Sequence, residues 1–128
     1  MKQRFFKCSR CGQIINIIRD TNLPIMCCMA DMIELIPGTE DADKEKHIPD
    51  VAVSNSKVAV KIGRDAHPMT DSHHIEWILL QTKKGTQKIN LSPSEEPVAI
   101  FSIEEGDTPE AVYAYCNIHG LWMTEINF

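Results

Sequence analysis

Four cysteines lie within the first 28 residues of this 128-residue chain. They stand as Cys8-x-x-Cys11 and as the adjacent pair Cys27-Cys28. Adjacent cysteines rarely form a disulfide with each other, and a compact set of four thiols in a chain without an apolar leader predicts a metal site. Four thiolates favour tetrahedral zinc or a single iron. We expect the adjacency of Cys27 and Cys28 to distort the tetrahedron, because neighbouring Cα atoms are only about 3.8 Å apart.

The segment around these cysteines, residues 1–36, predicts a small β module. Gly12 permits the left-handed turn that wraps backbone around a metal. The β-branched residues after it predict a strand, which contains Ile14, Ile15, Ile17 and Ile18. Because so few apolar side chains cannot fold unaided, a bound metal would supply the missing folding free energy.

A polar and charged segment, residues 37–46, follows the module and predicts a linker, since it begins with Pro37-Gly38 and is rich in Asp, Glu and Lys. In the second domain, residues 47–128, short β-rich runs alternate with turn signals, and convincing helical periodicity is absent. The predicted strands are residues 51–53, 58–62, 73–81, 87–91, 98–103, 111–115 and 121–126, with a hairpin tip at residues 83–85. Seven short strands favour a β-sandwich.

The charge distribution argues against a nucleic-acid partner. Residues 1–36 carry five Lys and Arg against three Asp and Glu, and the remainder carries eight against fifteen, so the net charges are +2 and −7. Basic residues nowhere form the stripe that binds a phosphate backbone. No apolar run approaches the roughly 20 residues of a membrane span. We therefore expect no nucleic-acid partner, no membrane association and a cytoplasmic location.

All five histidines lie in the second predicted domain. They are His47, His67, His73, His74 and His119, and Cys116 stands three residues before the last of them. Because side chains alternate along a strand, we expect His73 and His74 to point to opposite faces, so that one at most joins a given site. A lone histidine is usually a hydrogen-bonded loop residue, but four imidazoles and a thiol in one small domain indicate a metal site. Imidazole suits iron, copper and zinc, and a single thiolate ligand is typical of redox-tuned iron or copper.

Taken together, the motifs are similar to those of desulfoferrodoxin, the two-iron superoxide reductase family, almost from end to end. The resemblance rests on the four N-terminal cysteines, on Glu45-Lys46-His47-Ile48-Pro49, on His67-Pro68-Met69 with His73 and Ile75-Glu76-Trp77, and on Tyr115-Cys116-Asn117-Ile118-His119-Gly120-Leu121-Trp122. It implies an all-β protein in which a rubredoxin-like module, residues 1–36, precedes an immunoglobulin-like superoxide reductase domain, residues 47–128. His74 departs from the family, which generally has an aromatic residue at that place.

The resemblance also implies two iron ions per chain and their ligands. The four N-terminal cysteines, Cys8, Cys11, Cys27 and Cys28, would hold one iron, and zinc is an alternative occupant. The catalytic iron would be held by four imidazoles in a plane and an axial thiolate, those of His47, His67, His73, His119 and Cys116. Five protein ligands would leave one position open for superoxide.

Two charged residues beside the first histidine complete the implied active site. Lys46 is the only cationic residue adjacent in sequence to a proposed ligand of the catalytic iron, and it would attract superoxide and stabilise negative charge. Glu45 resembles the family's mobile carboxylate, which can take the sixth position on ferric iron. Because each turnover consumes one electron, an external donor is required, commonly rubredoxin in this family. A homodimer is a further expectation from the family.

Other classes of protein share parts of the pattern. A copper electron-transfer domain would use Cys116-x-x-His119 followed by Met123, but here the methionine stands four residues after the histidine, whereas blue-copper loops commonly place it about five residues after and use two histidines. A zinc-binding interaction module would account for the N-terminal cysteines alone. The pair of Cys116 and His119 by itself also resembles a catalytic thiol with its base.

Overall fold

The structure is a computed structural model that describes residues 2–39 and 47–127. These residues form β-strands, turns and loops without a helix, which confirms the predicted all-β class. The chain divides into two compact units, Met1–Ile36 and Pro37–Phe128. Nothing in the two described ranges is a helix long and apolar enough to cross a membrane.

The N-terminal unit contains five short strands. They are β1 (Phe5–Lys7), β2 (Ile14–Asn16), β3 (Met26–Cys27), β4 (Ala30–Asp31) and β5 (Ile33–Leu35). Strand β1 lies between β2 and β5 in one antiparallel sheet, and β3 pairs with β4. Among the described residues of this unit, the buried hydrophobic side chains are those of Phe5, Cys8 and Met32. So small a core agrees with folding that depends on a metal.

The predicted strand through Ile18 is wrong beyond Asn16. Ile18 is fully exposed, because the chain leaves the sheet after β2 and turns towards Asp20. The Arg4 guanidinium donates hydrogen bonds to Asp20 at 2.6 Å and to the Glu34 carboxylate at 2.8 and 2.9 Å. These bonds hold the pKa of both carboxyl groups below their usual range. The turn after β2 is thus joined to β1 and β5 by charge-assisted hydrogen bonds.

The second unit is a sandwich of two antiparallel sheets. Its strands are β6 (Pro49–Ser54), β7 (Lys57–Ile62), β8 (Ile75–Thr82), β9 (Thr86–Asn90), β10 (Val98–Ser102), β11 (Pro109–Cys116) and β12 (Gly120–Glu125). One sheet has the order β10-β7-β6 and the other has the order β12-β11-β8-β9. Each of the seven predicted runs overlaps one of these strands. Two antiparallel sheets of three and four strands make an immunoglobulin-like sandwich, so the predicted fold class is confirmed.

The core lies between the two sheets. Along β7, the buried residues Val58, Val60 and Ile62 alternate with exposed ones, as a strand with one buried face requires. Side chains from β8, β10 and β11 complete the same cluster. Cys116, the last residue of β11, belongs to it and is fully buried. The packing of the sandwich therefore fixes where this thiol lies.

Strand β8 begins at Ile75, two residues later than predicted. A tight turn keeps His73 out of the strand: its N–H donates to the Thr70 carbonyl at 3.3 Å, and the Thr70 N–H donates to the His73 carbonyl at 2.9 Å. His73 and His74 therefore lie in the loop before β8, and the strand alternation expected for them does not apply.

Asp107 joins two loops at the end of the four-stranded sheet where Thr82 pairs with the start of β11. The Thr82 hydroxyl donates to Asp107 Oδ2 at 2.6 Å, and the N–H groups of Thr108 and Lys84 donate to Asp107 Oδ1 at 2.8 and 3.1 Å. These hydrogen bonds, that of Thr82 first, hold the pKa of Asp107 below its usual range. The ionised carboxylate thus stabilises the loops.

Thr82→Val should raise the pKa of Asp107 towards the ordinary value of about 4, because it removes the strongest hydrogen bond to the carboxylate. Since the native pKa is lowered, the stabilising contribution of Asp107 is present above its unfolded pKa and is lost as the pH falls through the native pKa. NMR titration of the carboxyl group and denaturant unfolding at acidic and neutral pH measure both effects. An unchanged Asp107 pKa in the variant would contradict the assignment.

Candidate metal centres

The four N-terminal cysteines converge on one point. The Sγ atoms of Cys8, Cys11, Cys27 and Cys28 all lie within 4.8 Å of one another, and all four thiols are free. Cys27 Sγ is 3.6 Å from Cys11 Sγ and 3.9 Å from Cys28 Sγ. Four sulfurs bound about 2.3 Å from a tetrahedral metal would be about 3.8 Å apart. The thiols are therefore spaced as ligands of a single metal ion.

Backbone N–H groups around the first cysteine pair lower the pKa of the Cys8 thiol. Gly12, with φ of 82°, donates its N–H to the Cys8 carbonyl at 3.0 Å, and the Cys11 N–H donates to Cys8 Sγ at 3.5 Å. The N–H groups of Cys11 and Arg10 lower the pKa of Cys8 to about 6. Hydrogen bonds with Cys8 and Cys11 instead raise the pKa of Cys27 to about 12. A metal would thus find a thiolate at Cys8 and displace protons from its partners.

The distortion expected from the adjacent cysteines stays a prediction; the Cys27 and Cys28 sulfurs themselves are 3.9 Å apart. Cys28 and Met29 have φ angles of 53° and 61°, in the left-handed region that side chains rarely adopt. This turn directs the sulfurs of Cys27 and Cys28 towards the same point although their Cα atoms are neighbours.

A second cluster, which we call the histidine–cysteine site, lies in the sandwich. It contains His47, His67, His73, His119 and Cys116, whose ligand atoms lie within 4.8 Å of one another. The four imidazole rings form a square: neighbouring centroids are 4.7 to 5.0 Å apart, and the His47–His73 diagonal is 6.5 Å. Neighbouring rings meet edge to face at 62° to 81°. The four imidazoles are thus close enough to share one metal ion.

The ring nitrogens show which atoms face the centre. His47 Nε2 is 2.9 Å from His119 Nδ1, and two nitrogens bound about 2.1 Å from a metal at a right angle would be about 3 Å apart. The His67 Nδ1–H donates to the Pro68 carbonyl at 2.7 Å, so its Nε2 carries the lone pair. That Nε2 is buried and has no hydrogen-bond partner among the described residues. Burial lowers the pKa of His67 to about 4, so the ring is a neutral donor that suits a metal ion.

The β11–β12 hairpin brings Cys116 and His119 together. Cys116 pairs with Gly120, whose φ of 83° lets the chain reverse over a short loop. The His119 N–H donates to Cys116 Sγ at 3.4 Å, and the sulfur lies 3.9 Å from His119 Nδ1. An N–H directed at sulfur stabilises the thiolate that metal binding requires. The sulfur is buried whereas His119 is exposed, so the cluster reaches the surface at His119.

Trp122 supports two of the four imidazoles. Its ring stacks on His47 with centroids 4.7 Å apart and an interplanar angle of 14°, and its Nε1–H donates to the His119 carbonyl at 3.2 Å. Gly38 pairs with β12 through hydrogen bonds of 2.9 and 3.0 Å on either side of Trp122. A Cβ atom at Gly38 would lie 2.7 Å from the indole ring. Gly38, which the sequence places in the linker, is thus packed on the sandwich.

Three other residues considered from the sequence have different outcomes. The His74 Nδ1–H donates to the Thr70 carbonyl at 3.0 Å, so His73 alone of the adjacent pair joins the cluster. Glu45 and Lys46 lie outside the described residues. The sequence places Trp122 at the end of the motif around Cys116 but predicts no role for it, because its contacts depend on how the chain packs.

Comparison with known proteins identifies the family. The family described as Desulfoferrodoxin matches residues 39–125. Over 124 residues, which cover 97% of each protein, the chain is 39% identical to the desulfoferrodoxin of Syntrophotalea carbinolica.

The chain belongs to the desulfoferrodoxin family. Among solved structures, the superoxide reductase of Treponema pallidum matches this member of the family with a TM-score of 0.84 and 31% identity, over 97% of this chain and 98% of that one. A one-iron superoxide reductase of Giardia intestinalis matches with a TM-score of 0.57 and 33% identity, over 66% of this chain and all of its own length. The likeness to desulfoferrodoxins and superoxide reductases thus extends along nearly the whole chain.

Gly38→Ala should weaken metal binding at the histidine–cysteine site, because its Cβ would displace the indole that stacks on His47. We expect the affinity for Co²⁺ to fall by about tenfold, as is typical when a supporting residue of a metal ligand is lost. Chelator competition on Co²⁺-loaded protein, followed by absorption, measures this affinity.

Gly85→Ala is the matched control, since nothing lies within 4 Å of its added Cβ. The four-cysteine site, with its distinct Co²⁺ spectrum, serves as an internal control in both variants. If Gly38→Ala retains Co²⁺ at the histidine–cysteine site as firmly as Gly85→Ala does, the supporting role of Trp122 is wrong.

Proposed function

We propose that this chain is a superoxide reductase that reduces superoxide to hydrogen peroxide at an iron held by four histidines and one cysteine. The observation that carries the proposal is the square of four imidazoles with a buried thiol beside it. Membership of the desulfoferrodoxin family and the likeness to the Treponema pallidum superoxide reductase support it. A blue-copper site would leave two of the clustered imidazoles without a role.

When bound in this donor set, ferrous iron supplies the single electron that converts superoxide, together with two protons, into hydrogen peroxide. The imidazoles of His47, His67, His73 and His119 and the thiolate of Cys116 would hold it. A thiolate donates electron density to the metal and so favours loss of an electron from it. With five protein donors, such a metal would remain open to a small anion such as superoxide.

We assign steering of the anion to Lys46 and a carboxylate ligand of the ferric state to Glu45. The part of the chain beyond residue 36 has a net charge of −7, which repels an anionic substrate. A cation next to His47 in sequence would offset that field at the site. Lys46 would also stabilise the negative charge that develops as superoxide is reduced.

We propose iron in both centres of the native protein. Only a metal that changes oxidation state by one electron serves the histidine–cysteine site, and the imidazole–thiolate donor set suits iron. The sulfur tetrahedron of the N-terminal unit accepts iron or zinc equally well on geometry. Iron there would add an electron carrier, whereas zinc would leave a purely structural centre.

We further propose a rubredoxin-like electron donor, a cytoplasmic location and a homodimer. Each turnover would consume one electron from the protein, so an external one-electron donor would be required. Five free thiols suit a reducing compartment. Support for the homodimer comes from large apolar side chains that are exposed in the N-terminal unit: Ile18, Leu23, Met26, Met29, Ile33 and Ile36.

Metal analysis combined with stopped-flow mixing tests the proposed function. We expect two irons per chain, and we expect the reduced protein to lose its ferrous state on mixing with superoxide, at a rate approaching diffusion control of about 10⁸ to 10⁹ M⁻¹s⁻¹. One copper with an intense blue colour, or zinc as the sole metal, would contradict the reductase.

Lys46→Ile should slow the reaction with superoxide by about tenfold or more, because it removes electrostatic steering. The ionic-strength dependence of the rate should also become flatter, since salt screens an attraction that the variant lacks. Lys57→Ile is the control, because it removes the same charge from a lysine that is not adjacent in sequence to any proposed ligand. The Lys57 ammonium group, at the start of β7, donates a hydrogen bond to the Ser102 hydroxyl at 2.7 Å. Equal rates and equal salt dependence for Lys46→Ile and the control would remove Lys46 from the mechanism.

A further inference from the structure

We propose that Asn117 is a positioning residue of the histidine–cysteine site, which holds the turn that carries His73 against the loop that carries Cys116 and His119. The inference rests on the metal centre of the proposed function. It concerns a residue that stands between two ligands in sequence and is directed away from the cluster.

Three hydrogen bonds join Asn117 to the His73 turn. The Asn117 Oδ1 atom accepts the His74 N–H at 2.9 Å, and the Asn117 backbone N–H donates to the His74 carbonyl at 3.1 Å. The Asn117 Nδ2 group donates to the Ser72 carbonyl at 3.1 Å. Asn117 therefore binds the backbone of both residues that flank His73.

These bonds lie where the sheet no longer pairs the two segments. Pairing between β8 and β11 ends at Ile75 and Cys116, after a register shift next to Tyr115. The turn before β8 is closed by bonds between Thr70 and His73, which fix its internal shape. Asn117 adds a connection from this turn to the next loop and so relates the His73 imidazole to the buried sulfur.

The chemistry of the side chain fits this task. A carboxamide places one acceptor and one donor group in a single plane, and here the acceptor serves His74 while the donor serves Ser72. Aspartate at position 117 would keep the acceptor for the His74 N–H. Its second carboxylate oxygen would face the Ser72 carbonyl, and two acceptors cannot form a hydrogen bond. Alanine would lose both bonds but retain the backbone N–H that donates to His74.

The test compares Asn117→Ala with wild type in the Co²⁺-loaded and Zn²⁺-loaded proteins. In the Ala variant we expect the thiolate-to-cobalt absorption band of the histidine–cysteine site to shift and broaden, because His73 would no longer be held in a fixed position relative to Cys116. Metal retention against a chelator should fall by about tenfold. Exchange of the His74 amide in the Zn²⁺-loaded protein should accelerate by about tenfold, since this N–H loses its acceptor.

Thr82→Val is the matched control for a general loss of stability. It also removes a hydrogen bond between two segments of the chain, that from Thr82 to Asp107, at the opposite end of β8 from Ile75. We expect it to leave the cobalt band and the His74 exchange rate unchanged. A shift of similar size in Thr82→Val would overturn the specific role of Asn117.

Asn117→Asp decides the question if the Ala variant does not fold. It should keep slow exchange at His74, because Oδ1 remains, but weaken metal retention through the lost bond to Ser72. Spectra and metal retention equal to those of wild type, in either variant, would overturn the proposal. If Co²⁺-loaded wild-type protein shows the four-cysteine spectrum alone, with no thiolate band from the histidine–cysteine site, the metal centre itself would be contradicted.

Discussion

Burial of Cys116 at the end of β11 is the constraint on which the histidine–cysteine site depends. The sulfur belongs to the core cluster between the two sheets, so it cannot move without disturbing packed side chains. The hairpin that follows brings the His119 N–H to 3.4 Å from the sulfur. A redox metal held by this thiol would therefore have one ligand fixed by the fold itself, while the imidazoles come from connecting segments.

The imidazoles depend on contacts outside the cluster for their orientation. A carbonyl fixes the tautomer of His67, an indole ring stacks on His47, and hydrogen bonds from Asn117 flank His73. Such supporting contacts determine whether a set of donors is held in place before a metal enters. The N-terminal unit differs, because it buries few side chains and a bound metal would be needed to stabilise its fold.

Residue types and spacing were enough to predict the all-β class, the seven strand regions of the sandwich and both groups of potential ligands, because alternation and donor chemistry are visible in sequence. They could not predict the path of the chain at particular residues. A turn closed by Thr70 determines that His73 lies in the cluster and His74 does not. Left-handed φ angles at Cys28 and Met29 bring adjacent cysteines to one point. The contact of Gly38 with Trp122 joins residues that are distant in sequence.

The central claim is that the chain reduces superoxide and does not dismute it. The most direct measurement is the yield of hydrogen peroxide and dioxygen when the iron-loaded, reduced protein reacts with a known amount of superoxide under anaerobic conditions with excess electron donor. A reductase yields one hydrogen peroxide for each superoxide and releases no dioxygen. Half that yield of peroxide, with dioxygen released in equal amount, would contradict the account.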